Sequence, residues 1–234
     1  MKIVVVGLPR TSTFVTTQLF SKLYDLTNHD NPNVPPLDRV RGSQILQTLN
    51  DTDGYVMKFL TPDFKMGFGT ERTIDPHLIP WHQLDRIVFT RRSNHADVIA
   101  SLGLYKILGS HNTRPPHGDT DSRMVKFKES GRKIHINVQD EVRNYLSHYQ
   151  FFNQLKNEIA KYYQNSCVEV DHDYFYLPLD QAVAKFSQVL ACEVTQSQLM
   201  AVSDRWGTPQ TDYTAFVENY QELWETVKNQ RHQL

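Results

Sequence analysis

"VVVGLPRTSTFVTTQLF", Val4 to Phe20, is the stretch on which the fold turns. A β-branched run ends at a glycine, a short polar stretch follows, and the apolar positions then take up helical spacing. Val15, Leu19, Leu23 and Leu26 share one face of such a helix. Residues 2–6 are short and almost wholly apolar, which reads as a strand buried on both faces, as in a parallel sheet. A buried strand that feeds a helix directs several backbone N–H groups at one spot, and the helix dipole adds partial positive charge there. The connecting residues, Gly7-Leu8-Pro9-Arg10-Thr11-Ser12-Thr13, therefore form a candidate anion-binding loop. A nucleotide-hydrolysing P-loop beginning at Gly7 would need glycine, lysine and Ser/Thr at positions 12, 13 and 14. The chain has Ser12, Thr13 and Phe14, so the lysine that reaches the terminal phosphates is missing. Arg10 offers a planar guanidinium suited to phosphate or sulfate oxygens, and Thr11, Ser12 and Thr13 offer hydroxyls. A plainer reading of the same residues makes Ser12 or Thr13 a helix cap and Arg10 a surface charge.

Further along, "GYVMKFL" (54–60), "RIVFT" (86–90) and "CVEV" (167–170) read as strands. Helical patterns follow at 96–108, 138–163, 179–191 and 213–229, the longest carried by Val142, Tyr145, Tyr149, Phe152, Leu155 and Ile159. Residues 28–42, rich in proline and asparagine, read as a loop. Strands alternating with helices predict an α/β fold: a single three-layer domain over 1–234, with a central, mostly parallel sheet flanked by helices. A turn-rich insertion over about 109–136 interrupts it. Residues 106–135 carry seven Lys/Arg against three acids, so the insertion is basic, and it serves either as a lid or anion cradle or as a solvated loop.

"RIVFTRRSNHADVIAS" repeats the strand-to-helix design, with Arg91-Arg92 at the strand end and Ser101 on the next helix. Open parallel sheets bind ligands at the carboxyl ends of their strands, where an arginine and a helical serine can meet one more phosphate. Together, "GLPRTSTF" and "RIVFTRRSNHADVIAS" resemble the phosphosulfate loop and the 3′-phosphate motif of sulfotransferases that use 3′-phosphoadenosine 5′-phosphosulfate (PAPS). The first is most like the arginine-containing form of the carbohydrate and tyrosyl-protein enzymes. "MKFLTP" resembles the family's second-strand motif, with Lys58 and Pro62 in register, and "VEVDHDYFYLPLDQAVAKFSQVLACEVT" resembles its late strand and closing helix. The chain departs from the family at Ser12, where glycine is usual, at Phe14, and at Leu60, which stands in place of a histidine.

The resemblance implies a P-loop-like fold and a transfer of sulfuryl from PAPS to a hydroxyl or amine, with no metal. It makes Pro9, Arg10, Thr11, Ser12, Thr13, Arg92 and Ser101 the cofactor-binding residues, with Arg91 an alternative to Arg92. Arg10 and Lys58 would stabilise the charge that develops during transfer. With the histidine absent, Asp63, Glu71 and His77 are the candidate bases near the second strand, Asp63 foremost. Tyr174 and Phe175 either stack on adenine or pack in the core. The resemblance leaves the acceptor open among a small molecule such as an alcohol, a carbohydrate, a lipid and a peptide. A P-loop nucleotide or nucleoside kinase and a non-catalytic relative that binds only 3′,5′-adenosine bisphosphate are the rival readings.

A net charge of -1 speaks against a nucleic-acid partner. No apolar run approaches 18 residues, so no membrane span is expected. The two cysteines, Cys167 and Cys192, make no disulfide framework and fit a reducing, cytoplasmic setting. The sequence leaves the oligomeric state open.

Overall fold

A computed structural model describes residues 1–28, 53–61, 75–108, 126–127, 129–203 and 206–230. Five strands, β1 (Lys2–Gly7), β2 (Thr27–Asn28), β3 (Tyr55–Leu60), β4 (Arg86–Arg91) and β5 (Cys167–Asp171), form one sheet in the order β2-β3-β1-β4-β5. Every pairing is parallel. The helices are α1 (Thr13–Tyr24), α2 (His95–Leu108), α3 (Val138–Tyr163), α4 (Leu179–Leu190), α5 (Gln196–Met200) and α6 (Tyr220–Asn229). The protein is thus an α/β fold with an all-parallel central sheet flanked by helices.

The chain divides into two compact units, Met1–Ser93 with Phe151–Pro209, and Asn94–Gln150 with Gln210–Leu234. In the first, strand alternation sends Ile3, Val5, Val56, Val88 and Val170 to one face of the sheet. There they pack with Leu19 and Phe20 of α1, Phe186 and Leu190 of α4, and Leu199 of α5. Residues of opposite parity, Val4, Val6, Met57, Ile87 and Phe89, are equally buried. On that side the Phe89 ring meets Phe152 of α3 edge-on, with centroids 6.0 Å apart. Burial on both faces is why β1 reads as a continuous apolar run.

In the second unit, Ile134 bridges Val217 in parallel, and the Asn219 side chain both accepts from Ile136 N–H (3.0 Å) and donates to its carbonyl (2.8 Å). Gly103 of α2 lies against this crossing, where an added Cβ would come within 3.1 Å of Ile136. The Tyr220 hydroxyl donates to Asp97 at 2.6 Å, and Lys106 pairs with both oxygens of Glu141.

The structure differs from two of these expectations and adds one element. The helix expected over 213–229 is a short 3-10 turn at Tyr213–Ala215, capped by the Asp212 carboxylate, and then α6 from Tyr220. Commitment of Asn219 to Ile136 separates the two. The two-residue edge strand β2 takes in Asn28, the first residue of the loop expected over 28–42, of which 29–42 lie outside the described residues; α5 was not foreseen although Thr195 and Gln198 form a complete capping box. Within the basic stretch, residues 109–125 and 128 lie outside the described residues.

Candidate functional site

The sheet order puts β1 between β3 and β4. The chain leaves β1 through α1 for the β2–β3 side, whereas β4 and β5 build the other side. Such a reversal opens a crevice at the carboxyl ends of the adjoining strands, the usual ligand position in open parallel sheets. The Gly7–Thr13 loop and the Thr90–Ser93 segment both lie at this edge, since Gly7 is in register with Thr90.

Close contact with β4 shapes the loop. A Cβ on Gly7 would lie 2.0 Å from Thr90 Oγ1, 2.6 Å from Thr13 Cγ2 and 2.9 Å from Thr11 Oγ1, so no larger residue fits. Thr11, 1 % exposed, donates its hydroxyl proton to the Leu8 carbonyl at 2.7 Å. Its 2.9 Å contact with Thr90 Oγ1 is therefore one in which Thr90 donates, because a hydroxyl has a single proton to give. With these two bonds the Thr11 hydroxyl ties the loop to itself and to β4. Thr13 is also buried, with its carbonyl accepting from Thr17.

Arg10 (φ 69°) and Ser12 (φ 63°) both lie in the left-handed region, and Thr11 between them does not. Such a residue costs roughly 1–2 kcal/mol without a glycine, and strain of this kind concentrates at functional sites. Alternation in the sign of φ turns successive N–H groups toward a common side, the backbone arrangement of anion-binding nests. The structure also decides how Ser12 is used. It stands at the N-cap position of α1, but its side chain makes no capping hydrogen bond. Ser12 Oγ instead lies 2.5 Å from Nδ1 of His172, the residue that follows β5.

His172 is 7 % exposed, and its ring packs on Tyr176 at 5.0 Å. Sequence reasoning passed over it. The available signal was a histidine directly after a strand, at the edge where parallel sheets bind ligands.

Arg10 is exposed at the loop's crest. Lys58, half-buried on β3, shares the α1 face of the sheet with Val56 and holds its ammonium 5.6 Å from the Phe14 ring centroid. Arg91 and Arg92 separate clearly. Arg91 has the parity of Phe89 and is bound by two carboxylates, Glu169 at 2.7 Å and Asp171 at 2.8 Å. Partial burial alone would lower its pKa, but these two anions outweigh burial and raise it. Lys156 of α3 also pairs with Glu169, which extends the network. Arg92 is 5 % exposed and lies one residue beyond the end of β4. Thr61, next after β3, is fully buried, and its hydroxyl has no hydrogen-bonding partner among the described residues.

Ser101 is buried on α2, in the second unit. Of the candidate bases, Asp63 and Glu71 lie outside the described residues, as does Pro62. His77 is exposed in a 3-10 turn and donates its backbone N–H to Asp75. Phe175 belongs to the core, 5.2 Å from Phe186 and 5.8 Å from Trp206, and Tyr174 packs edge-on to Phe186. Both cysteines are free. Among the described residues no group of three metal-ligating side chains comes together, and no helix is long and apolar enough to cross a membrane.

Neither comparison with models of known protein families nor comparison with curated proteins finds a match for the chain.

Proposed function

We propose that the protein is a sulfotransferase that takes sulfuryl from PAPS at the carboxyl ends of β1 and β4 and passes it to a hydroxyl or amine of a small-molecule, carbohydrate or peptide acceptor. The observation that carries this reading is the Gly7–Thr13 loop. It is a strand-to-helix cradle with two non-glycine left-handed residues, an exposed arginine at its crest, and threonine where a kinase has lysine. Without the lysine, the loop suits a 5′-phosphosulfate better than a triphosphate chain.

In this reading the amides of Arg10 to Thr13 hold the phosphosulfate oxygens, with Pro9 helping to set the turn. Arg10 faces the bridging oxygen on which charge accumulates, and Lys58 neutralises the moving sulfonate. Arg92, buried one residue beyond the end of β4, takes the 3′-phosphate, with Arg91 the alternative. A bond from the acceptor oxygen or nitrogen to sulfur forms as the sulfur–oxygen bond to the 5′-phosphate breaks. The acceptor's proton passes to a base, for which Asp63 is the candidate, and 3′,5′-adenosine bisphosphate is left. The chemistry asks mainly for in-line positioning, which a preformed loop supplies.

A thermal-shift titration tests the reading, with 3′,5′-adenosine bisphosphate set beside ATP with and without Mg²⁺. At about 100 times its dissociation constant a ligand stabilises the fold by roughly 2.7 kcal/mol. The expected result is a shift with the bisphosphate alone, followed by transfer of labelled sulfate from PAPS to an acceptor panel. A shift only with ATP and Mg²⁺ would overturn the proposal in favour of a kinase. Bisphosphate binding with no transfer to any acceptor would point to the non-catalytic relative.

A further inference from the structure

The Ser12–His172 contact joins two residues 160 positions apart, and neither partner is there for packing alone. A serine at an N-cap ordinarily turns its hydroxyl back to the helix amides. Here that hydroxyl is drawn away, which leaves the amides at the start of α1 uncapped by Ser12. The same serine holds φ 63° and ψ 21° where a glycine would be free of strain. Both costs are met at one atom, His172 Nδ1, on a residue that β5 delivers to the carboxyl edge of the sheet.

We infer that His172 is a positioning residue for the loop: by holding the Ser12 side chain it keeps Ser12 left-handed and the first amides of α1 open to an anion. The bond serves with either ring tautomer. A bare Nδ1 accepts from the hydroxyl, and a protonated Nδ1 donates to it. Removal of the imidazole frees the Ser12 hydroxyl to cap the helix and lets the backbone relax toward negative φ. Either change closes the cradle. The inference rests on the reading of the loop as an anion cradle but not on the identity of the nucleotide.

The test is a double-mutant cycle read in two ways. The variants are His172→Ala, His172→Asn, Ser12→Gly and the Ser12→Gly/His172→Ala pair. The first readout is hydrogen exchange of the Thr11, Ser12 and Thr13 amides in the ligand-free protein. The second is the affinity for pyrophosphate and for 3′,5′-adenosine bisphosphate. His172→Ala should change loop exchange and weaken both ligands about tenfold, the order of one hydrogen bond. Asparagine, which can place a polar atom near the Nδ1 position, should recover most of the loss. In the Ser12→Gly background the further loss on removing His172 should vanish, because glycine needs no partner to stay left-handed.

A loss that persists undiminished in the Ser12→Gly background would overturn the inference, since His172 would then touch the ligand or only support the fold. Unchanged exchange and affinity in His172→Ala would overturn it too. If pyrophosphate binds and the bisphosphate does not, the PAPS reading fails while the cycle still reports on His172. If neither ligand binds, the exchange arm alone decides the matter: a change in loop exchange in His172→Ala that is absent in the Ser12→Gly background supports the inference.

Discussion

Replacing Gly7 with alanine tests whether the loop is held shut against β4. The new methyl carbon would arrive 2.0 Å from Thr90 Oγ1, with Thr13 Cγ2 at 2.6 Å and Thr11 Oγ1 at 2.9 Å. Ordinary van der Waals contact is about 3.5–4 Å between carbons, so at least three side chains have to move. Thr90 sits in β4 and Thr13 in the first turn of α1, and both are buried, so neither can swing into solvent. Overpacking of this kind costs about 1–3 kcal/mol. Breaking the Thr11–Thr90 hydrogen bond adds about 1 kcal/mol. The sum, about 2–4 kcal/mol, is a large part of the roughly 5–15 kcal/mol that holds a domain folded.

Urea unfolding followed by circular dichroism should therefore show Gly7→Ala with a midpoint well below wild type and an unchanged slope. Heating should show a melting temperature lower by roughly 4–16 °C, at 2–4 °C per kcal/mol for a chain of this size. Adding Thr90→Ala removes the worst contact and should return part of the loss, but not all, because the clashes with Thr13 and Thr11 remain. A Gly7→Ala protein within about 0.5 kcal/mol of wild type, the ordinary range of surface substitutions, would refute the close approach.

The two adjacent arginines should behave differently. Arg92→Ala should weaken 3′,5′-adenosine bisphosphate roughly ten- to a hundredfold, as loss of a charged hydrogen bond does, and leave adenosine 5′-phosphosulfate, which lacks the 3′-phosphate, nearly unaffected. Arg91→Ala should leave both affinities alone but lower stability by more than loss of an exposed ion pair does, because it strips the buried Asp171 carboxylate of its guanidinium partner; calorimetric titration of both ligands checks the pair, and equal losses for the two in Arg92→Ala would sink its assignment. At the C-terminal end of α1, burial and a hydrogen bond with Cys192 raise the Tyr24 phenol to about 12. A raised folded pKa favours the neutral phenol, so its contribution is full below pH 10 and is lost as pH rises toward 12. Stability measured by urea titration across that window should fall less steeply in Tyr24→Phe than in wild type, and identical slopes would show that the phenol titrates as it does in the unfolded chain.

How much of this was legible depends on how local the deciding interaction is. β1, β3 and β4 could be read because each is a compact, mostly apolar run with both faces covered, as Val88 and Phe89 show for β4, and β5 because its valines alternate with polar residues. Thr27–Asn28 could not, because two polar residues carry no pattern and become a strand only by pairing with Tyr55 and Val56. The loop's position and its lack of lysine were visible in seven residues. Its geometry was not. Whether Thr11 spends its hydroxyl on Leu8, whether Thr90 leans on Gly7 and where Ser12 points are all settled by β4 and β5, which lie 79 and 160 residues away. That Arg91 is held by two carboxylates was out of reach for the same reason, since Glu169 and Asp171 come beside β4 only in the folded sheet.

Two left-handed, non-glycine residues in one seven-residue loop persist only if the surroundings over-determine them. Four contacts do so here: Gly7 against Thr90, Thr11 on Leu8, Thr11 on Thr90, and Ser12 on His172. Three of the four join the loop to β4 or to the residue after β5, which flank β1 on one side of the sheet. The loop is thereby shaped before any anion arrives, and an arriving ligand need not meet the cost of ordering it. A glycine at position 12 would relieve the strain but free the loop to move, which loosens the cradle. Serine with a histidine partner keeps the turn rigid instead, and in the proposed reading this is how a loop with serine rather than glycine at position 12 would still present its amides to an anion.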